Sequence, residues 1–298
     1  MATVFNDTIF AQTAFQQLVE MLLPIRAFST DISSDVTSEG SAVVVPLFGN
    51  ATTTTFTQAN DVMEQTGGTI SAITVTLNKR KITPVDLTHQ QLAESSNAGR
   101  WDKWAHQLGK SMGGTVLQDI MSLITTTNFG AAIITTASAN YTKTQLIEAR
   151  RQLRAAGAKG EYSFIGNTVI EGALLGDTNL VNFLNRNDTA AIKEGQLGKL
   201  FGLNVYGSDI IPGNSVSLTG FACGQDAIAF ASRSLGQYLP DGDFESIEEM
   251  VDEESGLSAL YTRHYSRSSG KFFLNMHMLY GYSTAVTGAL KVFTTPTT

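Results

Sequence analysis

Few side chains in this sequence fall at spacings that chemistry could use. Gly109-Lys110-Ser111 resembles the end of a phosphate-binding loop, whose backbone amides cradle phosphates. That loop needs an earlier glycine where Trp104 and Ala105 stand, so Lys110 is expected on a helix surface. Gly281-Tyr282-Ser283-Thr284-Ala285 approaches a nucleophile elbow, with alanine in place of the second glycine. Ser283 would need His264 or His277 and an acid beside it. The histidines His89, His106, His264 and His277 never fall at metal-ligand spacing. Asp241 with Asp243, or Glu248 with Glu249, could be drawn as carboxylate pairs or calcium ligands, but the calcium-loop spacing is absent. This acidic run contains no basic residue and reads as a solvated face or loop. Trp101 and Trp104 share a helical face with Leu108 and Met112 and are expected in a core. A base-stacking platform would need more cations than Lys103 and Lys110. The expectation is no catalytic residue, no cofactor and no metal.

Composition narrows the class further. Of 298 residues, 42% are hydrophobic and only 16% charged, against about 25% charged in ordinary soluble chains. Much of the surface is therefore expected to face other protein. Cys223 is the only cysteine, which excludes an intrachain disulfide and a four-cysteine metal site and fits a reducing cytoplasm. No apolar run reaches the roughly 18 residues that cross a bilayer, and no basic residue precedes Arg26, so neither a membrane span nor a secretory signal is expected. The net charge of −7 and pI near 5.1 disfavour a tight grip on nucleic-acid phosphates.

The elements follow from periodicity. Phe10, Ala14, Leu18, Met21 and Leu22 step at helical spacing up to Pro24, predicting a short amphipathic helix on an otherwise loose arm. A Ser-, Asp- and Thr-rich linker follows over 31–40. Between Ala42 and Leu87 the β-branched runs AVVVPLF, TTTTFT and TISAITVTL predict the strands of a hairpin that buries little within its own subunit. Thr88 to Gln91 has capping-box spacing. From Ala98 to Thr125 the apolar positions predict a helix of about 28 residues, roughly 40 Å long. Thr142 caps a second helix through Arg154, after which short helices and strands alternate as in a compact α/β domain. LSALYTRHY and KFFLNMHMLYGY then read as strands returning to the long helix. No 20–50-residue repeat is present.

One stretch is more specific. Gly195, Gly198, Gly202, Val205, Ser208 and Pro212 stand in the order G-x-x-G-x-x-x-G-x-x-V-x-x-S-x-x-x-P. The spacing is not that of the dinucleotide fingerprint. It resembles a signature of tailed-bacteriophage major capsid proteins, the Hong Kong ninety-seven phage capsid fold, and the order of segments is similar over nearly the whole chain. Tyr280-Gly281 resembles that family's aromatic–glycine turn before its last strand.

The resemblance implies an α+β fold with an N-terminal arm (1–40) and an extended β-hairpin loop (41–87). A peripheral domain with a spine helix (88–140 and 257–298) and an axial α/β domain containing the acidic loop (141–256) complete it. It implies a non-enzymatic shell protein that forms homo-oligomeric hexamers and pentamers of an icosahedral head. Such a head encloses double-stranded DNA without sequence-specific binding. Scaffolding, portal and decoration proteins are the implied partners, and the virion, assembled in the bacterial cytoplasm, is the implied location. Relatives with a cleaved N-terminal scaffolding segment differ from this chain, which enters the arm from Met1, so a separate scaffolding protein or none is expected. Lys79 and Lys81 follow the hairpin, but cross-linking is not expected of them. The alternatives are an encapsulin-type shell around protein cargo and a serine hydrolase using Ser283.

Overall fold

Asn6 opens the first helix, α1 (Asp7–Leu22), by accepting a hydrogen bond from the Ile9 amide at 3.2 Å. The computed structural model describes residues 6–29, 42–48, 70–88, 90–91, 101–177, 198–235, 243–252 and 255–296. Pro24 sits at the start of a 3-10 turn over Leu23–Ala27 that ends α1. The apolar stripe Phe10, Ala14, Leu18 and Leu22 is buried, as are Ile25 and Phe28 beyond it. The segment is therefore not the loose arm that its periodicity suggested. It packs along the long helix α2 (Trp101–Met121), where two glycines one turn apart let the backbones meet. A Cβ on Gly109 would stand 2.0 Å from the Ala14 carbonyl oxygen, and one on Gly113 would stand 2.6 Å from Met21 Cβ.

Helix α2 stops at Met121, short of the expected Thr125, because the chain tightens into a turn over Ser122 and Leu123. Helix ends leave carbonyls without intrahelical partners. Here Asn214, from a distant loop, donates to Met121 O at 2.8 Å and Ile124 O at 2.7 Å. The buried stripe runs through Ala105, Leu108, Met112, Val116 and Ile120. Trp101 packs against it, but Trp104 is one position out of phase and is 44% exposed, contrary to the core role expected of it.

Three sheets follow. Strands β1 (Ala42–Phe48) and β2 (Ile70–Thr76) pair antiparallel as an isolated ribbon, with Val45 opposite Ile73. The second sheet is antiparallel and has the order β3 (Lys79–Thr88), β11 (Lys271–Thr284), β10 (Ser258–Ser266), β9 (Ser246–Val251), while β8 (Ile228–Arg233) pairs with the last part of β11. One face of this sheet, with Tyr261, Met276, Met278 and Tyr280, forms the first core with α1 and α2. The third sheet runs β12 (Leu290–Thr294), β7 (Leu218–Cys223), β4 (Tyr162–Gly166), β6 (Leu203–Gly207), β5 (Lys199–Leu200), with β4 and β6 parallel. Helices α3 (Lys143–Ala155) and α4 (Thr168–Gly176) cover one of its faces through Leu146, Leu153, Ile170 and Leu174. Its other face, with Ile165, Phe221 and Cys223, joins the first core. Thr142 caps α3 as expected, with Gln145 completing a capping box, and Asn167 caps α4.

The strand pairings redraw the segment boundaries read from the sequence. β3 leaves the hairpin segment 41–87 for the second sheet, and β8 and β9 join that sheet from the segment 141–256. β12 crosses the other way, onto β7. Long-range ladder partners decide these memberships, and local periodicity carries no trace of them. The acidic run is likewise an edge strand over Ser246–Val251 rather than a loop. Tyr280-Gly281 lies inside β11 rather than in a turn, and a Cβ on Gly281 would stand 2.1 Å from the Thr76 carbonyl oxygen.

The two helices give a paired test. Gly109→Ala should destabilise the subunit by about 1–3 kcal/mol, since overpacking outweighs the gain in helix propensity. Gly114→Ala, whose new methyl would meet nothing nearer than Ile210 Cδ1 at 3.8 Å, should stabilise it by up to about 1 kcal/mol. Denaturant midpoints of the unassembled variants measure both.

Candidate functional site

The structure does not assemble the candidate catalytic residues. Ser283 lies opposite Ala229, six positions beyond His277 on the same strand, a separation of about 20 Å at ~3.4 Å per residue. His264 is farther along, opposite Phe273, and stacks on its ring. Lys110 and Ser111 are exposed on α2. Glu248 and Glu249 point to opposite faces of β9, because strand side chains alternate, so they form no carboxylate pair. Glu248 accepts from Thr8 Oγ1 and Glu249 from Ser234 Oγ, both at 3.0 Å. Asp243 is exposed, and Asp241 lies outside the described residues. Among the described residues no group of three or more His, Cys, Asp or Glu could hold a metal ion. No helix among them is long and apolar enough to cross a membrane. Cys223 is fully buried, and burial pushes its thiol pKa well above the ordinary range.

The glycine motif builds a corner of the third sheet. Gly195 lies outside the described residues. Gly198 accepts the Val205 amide at 2.9 Å, and Phe201 and Gly202, with φ of 51° and 79°, form the two-residue turn between β5 and β6. Positive φ at both central residues is the mark of a type I′ hairpin turn. A Cβ on Gly202 would press on the Arg150 guanidinium, 2.9 Å from Cζ. Val205 is buried in the second core, and the Ser208 amide continues the ladder to Gly166 O at 2.9 Å. Pro212 then leads into Asn214, the side chain that clips the end of α2. Pro212-Gly213-Asn214 signals a turn in the sequence; its docking partner is visible only in three dimensions.

Four polar ties join elements of the fold. Asp119 on α2 accepts from Tyr280 Oη at 2.6 Å and pairs with Lys81 on β3 at 3.2 Å. Burial opposes ionisation of Asp119, but the Tyr280 hydroxyl and the Lys81 ammonium outweigh it and hold the carboxyl below its ordinary pKa. Lys79 donates to the Tyr282 hydroxyl and lies 4.3 Å above that ring. At the start of α1, Asp7 takes hydrogen bonds from Tyr261 Oη at 2.9 Å and Arg263 at 2.7 Å, while Arg263 also binds Glu245 at 2.8 Å. On the opposite face of the sheet, Arg80 lies 3.4 Å from His277 Nδ1, and Thr262 Oγ1 lies 2.9 Å from His277 Nε2. Arginine can only donate, so Nδ1 is the acceptor and Nε2–H donates to Thr262. His277 is thus held neutral. Burial, then the positive Arg80 and His264, lower its pKa to about 4.

Part of the exposed apolar surface lies on the ribbon. The ribbon is rooted on the second sheet, where Val45, Val75 and Leu77 pack on Ala229 and Ala231. Beyond that root it leaves Val44 62% and Ile70 72% exposed. A two-stranded ribbon is marginal alone in water, so such a surface is built to lie against something else.

No protein-family profile and no curated protein matches the sequence. Solved structures do match the fold. A chain of the capsid of cyanophage P-SCSP1u superposes with a TM-score of 0.60 at 12% identity, covering 92% of this chain and 87% of that one. The capsid of Ralstonia phage GP4 gives 0.56 at 10% identity, with 92% and 88% covered. The virus-like particle from Pyrococcus furiosus gives 0.54 at 10% identity, with 96% and 98% covered. The chain has the α+β fold of these shell subunits along nearly its whole length.

The neutral His277 gives a pH test. Its folded pKa lies below the unfolded value of about 6.5, so the unfolded chain takes up the proton first as pH falls. Its contribution is complete above about pH 6.5, is lost between there and about pH 4, and amounts to no more than about 3 kcal/mol. His277→Gln, which can accept from Arg80 and donate to Thr262, should flatten that part of the stability–pH curve.

Proposed function

We propose that this chain is the major capsid protein of a tailed bacteriophage, a non-enzymatic subunit whose copies self-assemble into hexamers and pentamers of an icosahedral head around double-stranded DNA. The observation that carries the reading is the match of the whole fold, rather than of one domain, to subunits of phage capsids. The exposed apolar ribbon supports it, because a subunit that must brace its neighbours needs a projecting surface that its own core does not use. The low charged content and acidic balance fit broad protein contacts and a lumen that does not bind packaged DNA tightly. The phage capsids among the structural neighbours favour a genome-holding head over an encapsulin-type cargo shell.

In this reading the ribbon and its connecting segment reach over a neighbouring subunit. The second sheet with α2 is the peripheral domain, and the third sheet with α3 and α4 is the axial domain around each local symmetry axis. The corner built by Gly198, Gly202, Val205, Ser208 and Pro212 holds the axial sheet to the spine helix. Scaffolding, portal and decoration proteins are the partners such a head would use, and it would assemble in the bacterial cytoplasm.

Electron microscopy of the purified chain, alone and with any co-encoded scaffold, tests the proposal. Capsomer rings or closed shells are expected, with nucleic acid inside shells recovered from infected cells. A stable monomer or dimer with scaffold present would overturn the reading. Deleting Thr52 to Gly68 should leave a folded subunit that makes no stable shells.

A further inference from the structure

The two edges of the second sheet carry opposite charge. β3, at one edge, begins Lys79-Arg80-Lys81. β9, at the other, is bordered and interrupted by Glu245, Glu248, Glu249 and Asp252. Pairing across the sheet puts Ile82, His277, Leu260 and Glu249 in one row and Pro84, Asn275, Thr262 and Ile247 in the next. Arg80, Ile82, Ile247, Glu249 and Val251 therefore project to one face by strand alternation. This is the face turned away from α1 and α2, since the intervening Tyr261 and Met276 fill the first core. At both edges apolar side chains stand in solvent: Ile82 is 49% exposed, Ile247 38% and Val251 59%.

An exposed strand edge offers unpaired amides and carbonyls to any other edge, and charge is a common way of rejecting unwanted pairings. Here the signs reject only some of them. Two β9 edges would repel, as would two β3 edges, but a β3 edge and a β9 edge attract. Direction agrees with sign. Successive antiparallel pairings from β3 through β11 and β10 leave β9 running opposite to β3, so a second copy displaced sideways would bring its β3 antiparallel to the first copy's β9. Such a contact uses different patches on the two partners. It is heterologous, and repetition of a heterologous contact closes a ring when each step adds the right rotation, and otherwise runs on as an open filament.

We propose that the β9 edge of each copy receives the β3 edge of the next, with Arg80 facing Glu249 and lying beside Val251, and with Ile82 packing on Ile247 of the neighbour. The inference rests on the shell reading and adds to it the surfaces through which subunits of one ring meet. The internal partners are compatible with this role. Arg80 reaches His277, and Glu249 is held by the Ser234 hydroxyl, so both side chains are oriented yet remain exposed at the sheet margin.

A charge-reversal experiment on the full chain tests the contact. Arg80→Glu and Glu249→Arg, each verified as folded by circular dichroism and melting temperature, should each reduce the assembled fraction in sedimentation at least tenfold. The double variant should restore it, and a mixture of the two single variants should restore even-membered rings, because every contact between unlike variants there pairs opposite charges. Single variants that assemble like the wild type, or folded variants that neither the double change nor mixing rescues, would overturn the contact while leaving the shell reading in place. Failure of the wild type itself to assemble would remove the shell reading and the contact together. If a reversal impairs folding, mixing Ile82→Cys with Ile247→Cys chains gives a second readout. A disulfide between the two chains under mild oxidation supports the contact, and its absence from intact shells refutes it.

Discussion

Strand β11 is the constraint on which the other elements depend. It pairs with β3 over most of its length on one side, and on the other with β10 and then β8. Tyr280 ties it to α2 through Asp119, and Gly281 lies directly under the Thr76 carbonyl at the root of the ribbon. Five elements, β3, β8, β10, α2 and the ribbon, therefore take their positions from one segment of fourteen residues. The absence of a side chain at Gly281 lets the ribbon root sit on one face of the sheet, while Tyr280 and Tyr282 project to the other.

Around that strand the cores are continuous. The face of the third sheet that escapes α3 and α4 is buried by the end of α1 and its turn, where Phe28 meets Phe221 at a ring distance of 6.0 Å. A third sheet buried on both faces is fixed against α2 rather than hinged on it. Asn214, bridging to carbonyls at the end of α2 and in the turn that follows, strengthens the same junction with two hydrogen bonds. By contrast the ribbon has, among the described residues, one small core at its root. Rigid body and projecting ribbon are thus distinguished by where apolar surface finds a partner inside the subunit.

The acidic edge strand shows how charge is used. Its carboxylates are distributed among Arg263, Thr8 and Ser234, each on a different element. Arg263 in turn holds Asp7 at the start of α1. The run thus helps to anchor the first helix, and the remaining charge lies exposed at a sheet margin.

Much was legible in the sequence because it depended on neighbours along the chain. Helical spacing in 7–22 and 101–121, the Thr142 cap, the strands around Tyr162, Ile228, Ser258 and Lys271, and the turn at Gly202 all express local backbone preference and side-chain period. The order of these elements also carried the resemblance to capsid subunits. Tertiary structure decided what depends on distant partners. It docked α1 on α2, turned Trp104 outward, made a strand of the acidic run, drew β3, β8 and β9 into one sheet and sent β12 to another. It also separated Ser283 from both histidines and made His277 a neutral link between Arg80 and Thr262. Periodicity reports which face of an element is apolar. Only the fold determines which distant face meets it, because ladder pairing and close packing join residues that the sequence keeps far apart.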